Sequence, residues 1–122
     1  MAPDGADAVV VVGAGPVGLA SALALRARGL PVVVLEAEPE DRNRPGSRAI
    51  FVHRESLELL DAWVPGLGRR VAGAGLVWPT RRSTFRGRDV YVRTFPPPPA
   101  GGLPPSTSLP QVETERFLLA AC

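Results

Sequence analysis

A chain of 122 residues with 45% hydrophobic content suits one globular domain and excludes a disordered chain. Its formal charge of +2 and pI of about 9.5 come from fourteen arginines and no lysine, which with abundant Ala, Gly and Pro reads as a compositional bias of the source. Cys122 is the single cysteine, so no intrachain disulfide or cysteine-based metal site is available; no metal is expected, and a cytoplasmic location is.

Met1–Asp7 is a short polar lead-in without the cationic start of a signal peptide. Ala8–Val12 is apolar throughout and is expected to form a central parallel strand buried on both faces. A glycine turn follows, Gly13-Ala14-Gly15-Pro16-Val17-Gly18, and opens a helix over Pro16–Arg28. Arg26 and Arg28 keep that helix from spanning a membrane, and no membrane partner is expected. Gly29 stands at the helix C-cap, and Pro31 blocks continuation. Pro31–Leu35 is a second apolar strand, and it stops on Glu36.

Strand, glycine turn, helix and second strand ending on a carboxylate form the layout of a βαβ dinucleotide site. Gly13 permits a tight turn, Gly15 admits a pyrophosphate close to the backbone, and Gly18 lets helix and strand pack closely. Pro16 suits the first helical turn, where its missing N–H is no loss, and Val17 completes the phosphate-binding opening. The helix start attracts phosphate through its free N–H groups and positive dipole end. Glu36 can accept both ribose hydroxyls and would repel a 2′-phosphate, which argues against NADP in this site. Gly15, Gly18 and Ala22 fall near one helical face, so small residues keep that face close to the sheet.

Ala37–Ser47 reads as a charged loop, Ala49–Val52 as a short strand or turn, and Arg54–Trp63 as a helix with Leu57, Leu60 and Val64 on one side, ended by Pro65-Gly66. Val71–Trp78 is weakly patterned. Ser83–Phe85 and Asp89–Phe95 flank Arg86-Gly87-Arg88 as a β-hairpin. Pro96–Pro110 is expected to be an extended, mobile loop. Thr114 is expected to cap a last helix, Glu115–Cys122, with Phe117, Leu118 and Ala121 available for burial.

Seven arginines lie between Arg69 and Arg93, with Asp89 the only acid among them. No aromatic ladder or recognition-helix pattern accompanies them, so a solvated surface is expected and nucleic acid is not. His53 has no neighbours at metal-ligand spacing and is expected to pack or face solvent; Trp63 and Trp78 are expected to pack. No Ser/His/Asp or Cys/His nucleophile arrangement is present, so no catalytic residue is assigned.

Three blocks together resemble the FAD-binding domain of the flavoprotein aromatic hydroxylases, the single-component monooxygenases related to para-hydroxybenzoate and phenol hydroxylases and to aromatic polyketide oxygenases. They are Gly13–Glu36; Ser47-Arg48-Ala49 with Leu57-Glu58-Leu59-Leu60; and Leu109-Pro110-Gln111 with Glu115 and Leu118. The resemblance implies an α/β, Rossmann-like FAD-binding βαβ unit with an added β-hairpin, and FAD as cofactor. It implies that Gly13, Gly15 and Gly18 cradle the pyrophosphate and that Glu36 holds the adenosine ribose. Arg48 would reach the flavin or its phosphate, and Gln111 the ribityl or ring region. NAD(P)H, O2 and an aromatic or polyketide-like substrate would be the reactants of the full enzyme.

Alternatives remain for individual residues: a surface ion pair with Glu55 or Glu58 for Arg48, and a loop-to-helix capping contact for Gln111. For the chain, the alternatives are an NAD-dependent dehydrogenase fragment or a non-catalytic nucleotide-binding remnant. The family's later Gly-Asp element is absent, and two parallel strands with one crossover helix do not close a doubly wound sheet. Residues 1–122 are therefore expected to be the N-terminal part of an FAD-binding domain, with an exposed apolar sheet edge prone to association.

Overall fold

The computed structural model describes residues 7–41 and 50–122. Strand β1 (Val9–Val12) pairs in parallel with β2 (Val32–Leu35), in register from Val9↔Val32 to Val12↔Leu35, and helix α1 (Pro16–Arg26) makes the crossover. The ladder is prolonged by Val9 N–H donating to Pro31 O at 2.9 Å and Gly13 N–H to Leu35 O at 2.7 Å. Helix α1 ends in a Schellman motif: Gly29 N–H donates to Arg26 O at 2.9 Å and Leu30 N–H to Leu25 O at 3.2 Å. The expected strand–helix–strand unit is thus present, with ends shifted by one or two residues.

One expectation fails in this unit. The strands are not covered on both sides: Val10 is 55% and Val12 82% exposed, and Val33 and Leu35 share that bare face. Helix α1 covers only the other side, so each strand alternates between half-buried and exposed positions.

The core lies among the helices. Leu19 and Leu23 of α1 meet Leu57 and Leu60 of α2 (Arg54–Trp63), Leu67, Val71 and Ala72 of α3 (Leu67–Ala74), and Leu118 of α4 (Gln111–Ala121), with Leu109 beside them. Helix α3 was not expected from sequence, and its second half takes in the start of the weakly patterned stretch Val71–Trp78. It rests against α2 so closely that a Cβ on Gly68 would overlap the Leu57 carbonyl oxygen. Asp61 of α2 serves its first turn from outside: Oδ1 accepts the Arg69 N–H at 3.1 Å and Oδ2 pairs with the Arg69 guanidinium at 3.2 Å.

A second correction concerns the Pro/Gly-rich stretch, which is not simply a loop. It contains β6 (Ser106–Ser108), antiparallel to β3 (Phe51–His53), with Thr107 wholly buried and its hydroxyl donating to Ala72 O at 3.2 Å. The hairpin begins earlier than expected, as β4 (Thr80–Phe85) and β5 (Arg88–Thr94) joined by Arg86 and Gly87, both at positive φ. Its arginines face solvent, and Arg82 pairs with Asp89 at 3.2 Å. Trp63 packs on the core as expected, whereas Trp78 is 57% exposed and donates its indole N–H to the Ser108 hydroxyl at 3.0 Å.

Candidate dinucleotide site

The three glycines of the turn differ in what surrounds them. Gly13 has φ +100°, a conformation side chains resist, and it turns the chain out of β1. A Cβ on Gly18 would overlap the Gly13 carbonyl oxygen and lie 3.4 Å from Val11 Cγ1, so this position seats the helix on the strand. Gly15 sits in extended backbone at φ −77°, ψ 179°, and a Cβ there would meet no atom of the described residues within 4 Å. Among the described residues, neither backbone geometry nor a neighbour calls for glycine here, which leaves the space above it open to what approaches the loop.

Gly15 is the N-cap of α1 and makes no side-chain cap, and Pro16 is the first helical residue. The first-turn amides of Val17 and Gly18 have no acceptor within the helix, and Val17 itself is 79% exposed. Among the described residues the opening of α1 is therefore uncapped backbone at the positive end of a dipole, which suits an anion.

Glu36 follows β2 and turns back to this loop. Its Oε2 accepts the Ala14 N–H at 2.7 Å, and its Oε1 accepts the Glu38 N–H at 3.1 Å. The carboxylate that the sequence placed at the strand tip is thereby fixed beside the glycine turn. Ala14 was not singled out from sequence, since an alanine between glycines carries no sign that its amide will meet a carboxylate 22 residues on.

Two open grooves flank the start of α1. One, of about 900 Å³, is acidic and lined by Ala14, Glu36, Glu38, Glu40, Asp41 and Glu115 among others. The other, of about 470 Å³, is largely apolar and includes Pro16, Val17, His53, Trp63, Gln111 and Thr114. Both fall in the size range of small-molecule sites. His53 is exposed, as expected, at the edge of the apolar groove.

Helix α4 lies alongside α1 and runs the same way. Gln111 shares a groove with Pro16 and Val17 at one end, and the Arg26 guanidinium reaches the carbonyls of Ala121 and Cys122 at the other. Two parallel helices thus bring their positive ends to the same region. This differs from the expected last helix in one respect. Thr114 is not its cap: the helix starts at Gln111 after Pro110, and the buried Thr114 hydroxyl has no partner among the described residues. Nor does Gln111 cap the helix. Its side-chain amide donates from Nε2 to Glu115 Oε1 at 2.9 Å, one helical turn on. Arg48, the remaining residue expected at the site, lies outside the described residues.

The FAD binding domain family matches residues 7–122. Over 122 aligned residues the chain is 48% identical to the 12-dehydrotetracycline 5-monooxygenase/anhydrotetracycline 6-monooxygenase of Streptomyces rimosus, covering 90% of this chain and 20% of that protein. A 33-residue stretch is 70% identical to para-nitrophenol 4-monooxygenase of Pseudomonas sp., covering 27% of this chain and 8% of that one. Among solved structures, p-nitrophenol 4-monooxygenase PnpA from Pseudomonas putida aligns with a TM-score of 0.73 at 26% identity, over 94% of this chain and 29% of that one. The flavin-dependent monooxygenase PieE, solved with FAD and substrate, aligns with a TM-score of 0.67 at 26% identity, over 98% and 22%. The chain therefore spans a fifth or less of the curated relatives it matches. The family match favours FAD over the NAD-dependent dehydrogenase alternative. With the glycine turn, the bare helix start and the inward carboxylate in place, the chain belongs to the FAD binding domain family.

Proposed function

We propose that this chain is the N-terminal, FAD-holding portion of a flavoprotein monooxygenase that hydroxylates an aromatic or polyketide-like substrate with NAD(P)H and O2. The observation that carries the reading is the open backbone at Gly15, at the start of α1, with Glu36 drawn to the same turn through Ala14. In this reading Gly13, Gly15, Pro16, Val17 and Gly18 form the pyrophosphate cradle, and Glu36 accepts the adenosine ribose hydroxyls from the acidic groove. Gln111 meets the ribityl or ring region from the other side of α1, and Arg48 adds a cation near phosphate or ring. FAD, when bound, supplies the electron exchange with NAD(P)H and the activation of O2. The chain's own residues bind and orient the cofactor, and none of them is assigned a proton-transfer step.

The names of the relatives support a phenolic or polyketide-like substrate, since they name para-nitrophenol, 12-dehydrotetracycline and anhydrotetracycline. Among the described residues no helix is long and apolar enough to cross a membrane. We place the protein in the cytoplasm, on the strength of its lone cysteine. The test is spectroscopic and kinetic. The purified chain should carry a visible flavin spectrum, and a longer protein that contains it should oxidise NADH or NADPH faster when a phenolic or polyketide substrate is added. Flavin binding by the chain with no such stimulation in the longer protein would limit the reading to cofactor binding.

A further inference from the structure

We infer, resting on the monooxygenase reading, that Phe51, Leu76 and Trp78 form a shelf for the flat ring system of the substrate, and that Trp78 sets how many fused rings it favours. The shelf follows from the pairing of three short stretches. Ser108 of β6 stands opposite Phe51 of β3 on one side and opposite Leu76 on the other, where Leu76 N–H donates to Ser108 O at 2.9 Å and Ser108 N–H to Leu76 O at 2.7 Å. Residues directly opposite in an antiparallel pair put their side chains on the same face, so Phe51, Ser108 and Leu76 form one row. Trp78 joins that row, because its indole N–H reaches the Ser108 hydroxyl at 3.0 Å. The alternate residues point the other way: Thr107 is wholly buried and Val52 packs on the core. One face of this small sheet is therefore core. The other carries Phe51, Leu76 and Trp78 at 54%, 63% and 57% exposure among the described residues.

Two observations point to the occupant. The row runs into the cofactor groove, since Phe51 and His53 line the same apolar groove as Pro16 and Val17 at the opening of α1. A molecule resting on the row therefore has one end beside that opening. The second observation is the indole itself. Trp78 is held by its only polar atom, so its ring is fixed before anything stacks on it, and little freedom is left to lose on binding. The row offers apolar surface, a fixed aromatic plate and one hydroxyl, at Ser108, with no cation for an anionic ligand. That combination suits a flat ring system bearing hydroxyl groups.

The test uses a longer, FAD-loaded protein that contains this chain, with phenol, 1-naphthol and 1-anthrol as probes of increasing ring number. Binding is read from the change each probe causes in the flavin absorbance, and affinity is expected to rise along the series. Trp78→Ala should weaken 1-anthrol about tenfold, the scale of one aromatic stack, and phenol by no more than about twofold. Trp78→Phe keeps a ring for stacking and should stay within about threefold of wild type for all three probes. Independently of any variant, hydroxyl radicals should oxidise Trp78 in the FAD-loaded protein, as read by mass spectrometry, and 1-anthrol should protect it. Equal weakening of all three probes by Trp78→Ala, no weakening of any, or a Trp78 already protected without a probe would overturn the shelf. The last result would show instead that another segment of the longer protein covers this face. All three leave FAD binding intact, whereas a longer protein that holds no FAD overturns the parent reading, and this one with it.

Discussion

The Glu36 carboxylate accepts the backbone N–H of Ala14 at 2.7 Å, joining the end of β2 to the middle of the glycine turn. One acid therefore holds the turn in shape and, in the proposed reading, also stands where a ribose would arrive. Replacing it with alanine should cost about 1 kcal/mol of stability, because the Ala14 amide is exposed enough for water to take the vacated place. FAD affinity should fall further, by about tenfold or more, through loss of the charged acceptor. Thermal melts and flavin fluorescence titrations of Glu36→Ala and Glu36→Gln give the two numbers separately.

Gly18 and Gly15 make opposite predictions under the same substitution. A methyl on Gly18 collides with the Gly13 carbonyl, so Gly18→Ala should destabilise the fold by about 1–3 kcal/mol as the turn shifts to make room. Gly15 has ordinary extended backbone and open space above it, so Gly15→Ala should leave the thermal midpoint almost unchanged. Denaturation curves of the two variants without cofactor test this difference directly.

Two threonines of the C-terminal third make a second matched pair. Thr107→Val removes the hydroxyl that satisfies the Ala72 carbonyl near the end of α3, and should cost about 1–2 kcal/mol. Thr114→Val removes a buried hydroxyl without a partner among the described residues, and should be neutral or stabilising by up to about 1 kcal/mol. Had Thr114 capped the helix, the same change would cost about 1 kcal/mol, so urea denaturation of Thr114→Val distinguishes the two placements.

The core makes a larger prediction. Leu57 is fully buried at the meeting of α1, α2 and α3, and Leu57→Ala should destabilise the domain by about 2–5 kcal/mol. Leu59, one position away from Leu60 on the same helix, is 50% exposed, and Leu59→Ala should shift the midpoint far less.

The parts of the fold legible in sequence are those dictated by neighbours along the chain. Valine runs broken by Gly13 and Pro31, a proline at the helix start and Gly29 at its end specify the βαβ unit locally, and Gly13 turns the chain and Gly18 seats the helix as their spacing implied. The illegible parts depend on distant contacts. Helix α3 is short and glycine-rich; it is held by the fit of Gly68 against Leu57 and by a carboxylate from α2. Strand β6 has three residues in a proline-rich stretch and exists because β3 pairs with it and Thr107 reaches Ala72. The bare face of β1 and β2 was missed for a related reason. A run of valines states that a strand can be buried on both sides, but not which neighbours are there to bury it.

The shape of the turn at Gly13 and the close seating of Gly18 were legible because a glycine turn is a contiguous device, and Glu36 was placed by the strand that ends on it. The Gln111–Glu115 pair was half legible: the spacing of four is a helical contact, but the expected helix began beyond Gln111, so the two residues were not placed on one surface.

FAD titration of the chain with and without Gly15→Ala decides whether a diphosphate rests on the peptide backbone at Gly15. Saturable quenching of flavin fluorescence by the wild type, displacement by ADP, and a loss of about tenfold or more in affinity for Gly15→Ala at an unchanged melting temperature are the expected result. Equal FAD affinity in the wild type and Gly15→Ala would rule that placement out.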